Sequence, residues 1–345
     1  MAVPGRVIMN TETLSYFLMI NCWGPGQCVA VIGVLVNVVN VVVFLKQGLR
    51  DSVNISLLGL TISDLGSLII LVLLNLCWAP AVTKLHLPFY PHQMMYFLFY
   101  GHTAFSRVTT GLTAWIAFER CLCIVAPLKI KTLITPGKSV MVICVLYVIT
   151  IASVTPIFYT SKFVWITDPI RNTTVLSYVK IAEGRIIDDI IYIINNVLPL
   201  LFFILIVSCT AILVTTLHRN AKWRQQMTAS KTQVVSKRDT KVTQMVLAIS
   251  VVFIVCYIPG ALFFLLPLTN QEMKVAGSER NFVIAIVSIM LLLEGIQESA
   301  NFFIYIEMSS KFRATFQQLF SLRFKQSDDS KIGNVDKTVQ PEGGV

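Results

Sequence analysis

The sequence predicts an all-α membrane protein, a seven-transmembrane helix bundle with a short amphipathic eighth helix. Its residues are 55% hydrophobic and only 13% charged, whereas a soluble domain carries about 25% charged residues. The apolar residues gather in stretches long enough to cross a bilayer, which takes about 20 residues of helix. Because lipid offers the backbone no hydrogen bonds, each stretch should be helical. We number the stretches spans 1 to 7, at roughly 27–46, 54–77, 93–121, 139–160, 188–217, 240–266 and 282–306.

The distribution of positive charge predicts how the chain crosses the membrane. Eighteen of the 28 Lys and Arg residues lie in the tail and in the connections after spans 1, 3 and 5, and eight lie on the opposite side. An excess of Lys and Arg marks the cytoplasmic side. We therefore expect a multi-pass plasma-membrane protein with an extracellular N-terminus and a cytoplasmic C-terminus. The basic charge needs no nucleic acid as partner, because topology and anionic membrane lipid account for it.

The same pattern divides the chain into four parts. We expect an extracellular N-terminus, the bundle, an amphipathic helix on the inner leaflet and a disordered cytoplasmic tail, over residues 1–26, 27–306, 307–322 and 323–345. Apolar Phe312, Phe316 and Leu319 recur at helical spacing in the third part. No internal repeat is visible, which counts against a transporter built from repeated halves.

Two features of the outer connections bear on covalent modification. Asn172 begins an Asn-Thr-Thr acceptor sequence after span 4, so we expect it to be glycosylated. Three cysteines, Cys22, Cys28 and Cys77, lie near the outer face. An odd number leaves one unpaired, and the sequence does not decide which two, if any, form a disulfide.

Polar side chains inside the spans carry the most functional information, because burying them in lipid costs free energy. Five short patterns occur in order in spans 1, 2, 3, 6 and 7: Gly33 with Asn37, Leu60 to Asp64, Glu119-Arg120-Cys121, Phe253 to Pro259, and Asn301 to Tyr305. Together they resemble the rhodopsin-like class of G-protein-coupled receptors, over about residues 27–320. The stretch from Phe118 to Ile124, followed by Pro127 to Lys129, is similar to invertebrate peptide receptors and expanded chemosensory receptors, as in molluscs.

The resemblance implies a switch at the cytoplasmic surface that couples to a heterotrimeric G protein. It assigns Arg120, its neighbour Glu119 and Tyr305 to that switch. Asp239 lies twenty residues before Pro259, about 30 Å along a helix, and should reach the same surface as Arg120. We expect Glu119 and Asp239 to hold Arg120. The alternative is that Asp239 is a solvated charge neutralised by its basic neighbours.

The resemblance also implies a polar cluster of Asn37, Asp64, Thr109 and Asn301 in the middle of the bundle. A carboxylate at that depth needs a counter-charge or several hydrogen-bond donors. We expect sodium and water there, with a part in switching. The alternative is a buried polar residue held by its neighbours alone.

The outer half of the bundle should contain the ligand pocket. Arg107 lies thirteen residues before Arg120, about 20 Å along the helix, and Glu294 and Glu298 are one turn apart in span 7. Charges at that depth should either pair or contact a ligand. We expect a pocket lined by these three residues with His102 and Tyr257. An internal ion pair from Arg107 to Glu298 or Glu294 is the alternative.

Two departures from the resemblance affect the outer face. Met95 stands where most of the class has a cysteine that bridges to the second outer loop, and residues 156–190 contain no cysteine. We therefore expect a looser loop. His102 stands where amine receptors have a carboxylate, which argues against a biogenic amine ligand.

These observations predict a cell-surface receptor for a small-molecule or peptide ligand, chemosensory in the first place, with a neuropeptide receptor as the alternative. A transporter is favoured only by the charges inside the spans. The chain has neither Gly-x-Ser-x-Gly nor His-Glu-x-x-His. We therefore expect no enzyme, no catalytic or metal-ligand residues, and no cofactor beyond a possible Na⁺ near Asp64.

Overall fold

The computed structural model describes residues 8–126, 133–169, 172–181, 184–226, 237–269, 271–273 and 277–319. The predicted fold class is confirmed, because seven helices of the described part are long and apolar enough to cross a membrane. These helices, which keep the names spans 1 to 7, are Gln27–Gln47, Ser52–Leu76, Pro91–Val125, Pro136–Val154, Arg185–Gln226, Lys237–Thr269 and Arg280–Met308.

Local sequence signals set several helix ends. Asp51 caps span 2 by accepting a hydrogen bond from the backbone N–H of Val53 at 3.3 Å. Thr135 caps span 4 in the same way, and Pro136 follows as the first helical residue. Span 1 ends at Gly48, whose φ of 84° favours glycine. The connections therefore turn where the sequence supplies residues suited to turning.

Spans 2 and 3 form the centre of the bundle. In its most apolar part, 67% of span 3 is buried, against 22% of span 4. Large apolar side chains such as Leu35, Val148 and Val255 point outward, as they must where the surrounding solvent is lipid. Gly33 brings span 1 close to its neighbours, because a Cβ there would lie 2.3 Å from the Ser299 hydroxyl. The inward faces therefore carry the polar residues on which function depends.

The N-terminus contains a helix that the sequence analysis did not anticipate. It covers Thr11–Asn21 and continues through a π-helical turn, Cys22–Gly26, into span 1. Leu14 and Leu18 are buried against the outer end of span 7. Two hydrogen bonds join the same surfaces, from Asn281 to the carbonyl of Met9 and from Asn21 to the hydroxyl of Ser288, each at 3.1 Å. The N-terminal segment is therefore packed onto the bundle rather than extended from it.

The second outer loop forms a two-stranded antiparallel sheet, another feature absent from the prediction. β1 covers Ser161–Asp168 and β2 covers Thr173–Lys180. Both strands are rich in β-branched and aromatic residues, which suit a pleated surface. Exposed Asn172 lies at the turn with a φ of 49°. The predicted acceptor asparagine is thus at the tip of a hairpin.

Aromatic contacts anchor this hairpin to the top of span 3, where a looser loop was expected. Tyr96 stacks on Tyr178 of β2 at 5.1 Å between ring centroids, and Phe97 stacks on Phe163 of β1 at 4.6 Å. The ammonium of Lys180 lies 4.8 Å from the centroid of the Tyr96 ring and pairs with Asp188 at 2.5 Å. Burial alone would lower the pKa of Lys180, but these two contacts raise it above its usual value. The charged form of Lys180 is therefore favoured at the anchor.

No disulfide replaces the missing one. All eight cysteines lie in the described residues, and none of them forms a disulfide there. Of the three outer candidates, Cys22 is buried, Cys28 is exposed and Cys77 is half-buried. Burial raises the pKa of the Cys22 thiol to about 11, which keeps it protonated. The hairpin is thus held by ring stacking, a cation–π contact and an ion pair.

A last helix covers residues 310–319 and lies against the inner end of the bundle. Phe312 is buried against Phe44 of span 1 and Tyr305 of span 7, with ring centroids 5.4 and 5.6 Å apart. Arg313 donates to the carbonyls of Ile306 and Glu307 at the end of span 7. This helix therefore closes the inner ends of spans 1 and 7.

Removing the ring of Tyr96 should loosen the hairpin formed by β1 and β2. An aromatic pair contributes about 0.5–1.5 kcal/mol and an exposed cation–π contact about 0.5–1 kcal/mol. We predict that Tyr96→Ala speeds amide hydrogen exchange in residues 161–180 about tenfold, the ratio that corresponds to about 1.4 kcal/mol. Tyr16→Ala, at an exposed tyrosine of the N-terminal helix, is the control and should leave that exchange unchanged. Equal exchange in the parent and Tyr96→Ala would show that the rings do not anchor the hairpin.

Candidate functional site

Asp64 lies at the centre of the bundle and ties three spans together. Its side chain is fully buried. One carboxylate oxygen accepts from the hydroxyl of Thr109 in span 3 at 2.7 Å, and the other accepts from the amide of Asn301 in span 7 at 2.8 Å. Thr109 also lies 2.9 Å from the hydroxyl of Ser63. Three of the four predicted cluster residues therefore form one hydrogen-bonded group.

The fourth residue, Asn37, has a different role from the predicted one. Its amide donates to the carbonyls of Gly33 at 3.0 Å and Glu298 at 3.1 Å. It therefore joins span 1 to the backbone of span 7, and its described hydrogen bonds do not reach Asp64. The Asn37 side chain is short, and it reaches the backbone of span 7 because spans 1 and 7 pack closely here.

Glu298 is a second buried carboxylate close to Asp64. Its side chain is 1% exposed, and neither carboxylate oxygen makes a hydrogen bond of normal geometry with a described residue, although the hydroxyl of Ser67 lies close to the carboxylate. It lies close enough to Asp64 and Glu294 for the charges to interact. The hydroxyl of Ser67 and the amide oxygen of Asn301 are also buried without partners in the described structure. The middle of the bundle thus holds more oxygen atoms than protein hydrogen bonds satisfy, which is typical of a site for water or a cation.

Arg107 and Glu294 face each other one level further out. Glu294 Oε1 lies 4.0 Å from Arg107 Nη1, and Glu294 Oε2 lies 3.8 Å from His102 Nδ1. The hydroxyl of Ser106 donates to Glu294 Oε2 at 3.1 Å. Arg107 and His102 are buried, whereas the side chain of Glu294 is 23% exposed. The ion pair that the sequence left open is therefore with Glu294, and Glu298 takes no part in it.

Tyr257 lies beside this group on an aromatic layer. Its ring stacks on Phe253 at 5.3 Å and contacts Phe203 of span 5 at 5.1 Å. A narrow crevice, with room for about one water molecule, separates Tyr257 from Glu294 and is also lined by Gln297 and Cys256. Of the five predicted pocket residues, Tyr257 and Glu294 line this crevice, and His102 and Arg107 lie within 4.0 Å of the Glu294 carboxylate. Glu298 does not line the crevice and lies one turn further along span 7.

Glu119 and Arg120 form an ion pair at the inner end of span 3. Arg120 Nη2 lies 3.2 Å from Glu119 Oε1 in a buried setting. Serines complete the carboxylate's surroundings, since Ser52 donates to Glu119 Oε1 at 2.6 Å and contacts the hydroxyl of Ser139 at 2.7 Å. The pair is therefore linked through hydroxyl groups to the starts of spans 2 and 4.

A large cavity opens beside this pair on the inner face. Its volume is about 1210 Å³, and its walls come from spans 1, 2, 3, 6 and 7 and from the last helix. Arg120, Glu119 and Tyr305 all line it. Tyr305 is fully buried by contacts with Phe44 and Phe312. The volume of the cavity is comparable to that of about two turns of a helix, which is roughly 10–12 Å across with side chains and rises about 5.4 Å per turn.

The predicted partner Asp239 remains a prediction. Its backbone belongs to the first turn of span 6, but its side chain lies outside the described residues. Sequence reasoning also missed the hydroxyl groups that contact the buried charges. Ser106, Ser52 and Ser139 supply direct contacts, yet serines are frequent in these spans. Which of the serines contact the buried charges depends on how each helix is rotated, and the sequence alone does not give that rotation.

The hydrogen bond from Thr109 to Asp64 should contribute to stability. A hydrogen bond to a charged group contributes about 1.5–3 kcal/mol. We predict that Thr109→Val lowers the midpoint of thermal unfolding in detergent by several degrees, because a methyl group of similar size leaves one of the two oxygens of the Asp64 carboxylate without its donor. Thr215→Val, at an exposed threonine on span 5, is the matched control. Equal midpoints in the two variants would contradict the assignment of this bond.

Comparison with known proteins places this architecture in a family. Residues 26–323 match the model of the serpentine type 7TM GPCR chemoreceptor Srw. The chain is similar to the FMRFamide receptor of Drosophila melanogaster, at 22% identity over 91% of the chain, and spans 56% of that relative's length. It is also similar to the growth hormone secretagogue receptor type 1 of Mus musculus, at 26% identity over 97% of the chain and 90% of the relative. A shorter match, 32% identical over 129 residues, covers 37% of the chain and 29% of the galanin-like G-protein coupled receptor npr-9 of Caenorhabditis elegans. The family match covers well over half of the chain and agrees with the seven spans, so the chain belongs to the serpentine Srw family of seven-transmembrane G-protein-coupled receptors.

Proposed function

We propose that the chain is a plasma-membrane receptor that binds a ligand in the outer half of its bundle and activates a heterotrimeric G protein at its inner face. The observation that carries this proposal is the position of Arg120. It lines the large inner cavity while its guanidinium is paired with Glu119. An end of a partner helix entering that cavity would compete for Arg120, so the ion pair and the bound partner favour different arrangements of the helices.

The orientation follows from charge. The inner connections carry most of the Lys and Arg, so the N-terminus and the hairpin tip face outside. Asn172 at that tip can therefore receive a glycan. The last helix lies at the inner leaflet, where its exposed face contacts lipid headgroups.

Two classes of ligand have support from the comparisons. The family description names chemoreceptors, which favours an environmental chemical. Two relatives are named for peptides, an FMRFamide receptor and a galanin-like receptor. We propose a chemosensory role first and a neuropeptide receptor as the second candidate, favoured by those names.

Sodium fits the middle of the bundle. The buried oxygens of Asp64, Glu298, Ser67 and Asn301 are the hard ligands that such a cation takes, and several of them lack a hydrogen-bond partner in the described structure. A bound cation would offset the two carboxylates there. We propose that it stabilises one arrangement of spans 2, 3 and 7.

The role of Arg120 is tested by nucleotide exchange on a G protein reconstituted with the receptor in lipid discs. We predict that Arg120→Ala abolishes receptor-stimulated exchange. Glu119→Gln should raise ligand-independent exchange up to about tenfold, since a change of about 1.4 kcal/mol shifts a two-state ratio tenfold.

Lys46→Ala, at an exposed inner residue of span 1, is the control for loss of an inner positive charge. If the Arg120→Ala and Lys46→Ala receptors stimulate nucleotide exchange on the G protein equally, Arg120 does not couple the receptor to that protein. Ligand flux through the same protein in liposomes, with no exchange, would indicate a transporter instead.

Binding of sodium should be visible as stabilisation, because a ligand that binds only the folded state raises its free energy of unfolding. We predict a higher midpoint of thermal unfolding in NaCl than in KCl at equal ionic strength for the parent, and equal midpoints for Asp64→Asn. Glu298→Gln should reduce the difference. The same sodium effect in the parent and in Asp64→Asn would rule out the site.

A further inference from the structure

Arg107 has buried hydrogen-bond donors without an acceptor. The residue is 7% exposed, and neither Nε nor Nη1 has a hydrogen-bond partner among the described residues. The carboxylate of Glu294 is 4.0 Å from Nη1, too far for a hydrogen bond. A buried donor left unpaired costs about 1–3 kcal/mol, and more for a charged group. The guanidinium is therefore poised to receive an acceptor atom from outside the protein.

Glu294, whose Oε1 lies 4.0 Å from Arg107 Nη1, has the opposite requirement. Its Oε2 already accepts from Ser106, and its Oε1 accepts no hydrogen bond from a described side chain. It is also the most exposed of the charged residues at this level, at 23%, and it lines the crevice beside Tyr257. Glu294 can therefore accept a hydrogen bond from a ligand whose acceptor atom binds Arg107 and whose donor atom lies beside that acceptor.

The two charges together select a neutral group. A ligand carboxylate would suit Arg107 but would be repelled by Glu294, with Glu298 one turn below. A ligand ammonium would suit Glu294 but would be repelled by Arg107. A primary carboxamide avoids both conflicts, because its carbonyl accepts while its NH₂ group donates.

We propose that Arg107 and Glu294 bind the primary carboxamide end of a ligand, as found in an amidated peptide or a small aromatic amide. This proposal rests on the receptor function proposed above and adds the chemistry of its ligand. Tyr257 and Phe253 line the crevice and give it an aromatic wall, and Phe203 of span 5 contacts the Tyr257 ring. The group next to the carboxamide is therefore apolar or aromatic.

The narrowness of the crevice links binding to switching. The space between Tyr257 and Glu294 has room for about one water molecule. A carboxamide has three heavy atoms, so its entry must displace the ring of Tyr257. That ring contacts Phe203 of span 5 and stacks on Phe253 one turn further in along its own span 6, and its movement would carry the signal inward.

The test uses matched pairs of probes that differ only in the end group. The peptide Phe-Met-Arg-Phe with an amidated or a free carboxyl end forms one pair, and phenylalaninamide with phenylalanine forms the other. Binding is measured by thermal stabilisation of the full-length receptor in lipid discs. We expect the amide member of at least one pair to bind at least tenfold more tightly than its acid. Binding of the peptide pair alone would indicate a peptide ligand, and binding of the small pair would indicate a small amide.

Variants then assign the preference to the two charges. Glu294→Gln should bring the acid to within about threefold of the amide, because the repulsion is gone, and Arg107→Gln should weaken the amide at least tenfold. Glu12→Gln, at an exposed acid of the N-terminal helix, should retain the parent's preference. If neither amide binds, or an acid binds as well as its amide, the carboxamide proposal is overturned. If nucleotide exchange still depends on Arg120 in that case, the receptor function is supported although the carboxamide proposal is wrong. If no such exchange is seen, the receptor function itself is contradicted.

Discussion

The cost of placing polar side chains in a lipid environment determines how this bundle is built. Asp64 is the clearest case, since a carboxylate at the centre of the membrane must be surrounded by donors from neighbouring helices. Thr109 and Asn301 supply them from spans 3 and 7. Asn37 adds a bond from span 1 to the backbone of span 7. These contacts fix the rotations of four helices, so that their remaining polar residues also face inward.

The polar residues then form three levels along the bundle. Arg107 and Glu294 make the outer level, Asp64 and Glu298 the middle level, and Glu119 and Arg120 the inner level. The outer and middle levels contain buried polar atoms without a hydrogen-bond partner, and the inner level contains an ion pair that a binding partner could break. Glu298 and Arg107 have buried atoms without hydrogen-bond partners in the described structure, and the Glu119–Arg120 pair lines an open cavity. We propose that a ligand, a cation and a G protein bind at the outer, middle and inner levels, because each level has buried polar atoms that lack a partner or an ion pair that lines an open cavity.

The sequence predicted those parts of the structure that depend on composition and position along one helix. The seven spans follow from apolar length, and the depth of Arg107 or Asp64 follows from counting residues along a helix. It did not predict contacts that depend on how neighbouring helices are rotated. The choice of Glu294 rather than Glu298 as the partner of Arg107 is one example, and the serines around Glu119 are another. The aromatic anchor of the hairpin was missed because the absent disulfide was taken to mean a loose loop, although Tyr96 and Lys180 supply other contacts.

Residues of spans 3 and 6 both line the inner cavity. We therefore propose that a G protein that enters the cavity and displaces Glu119 from Arg120 moves the inner ends of these two spans apart. The most direct test is the distance between spin labels at Val125 and Gln244, exposed residues at the inner ends of these spans. Labels carried by unnatural amino acids avoid the eight native cysteines. We predict a longer distance in the parent when nucleotide-free G protein is added, and no change in Arg120→Ala. An unchanged distance in the parent, with the G protein bound, would contradict it.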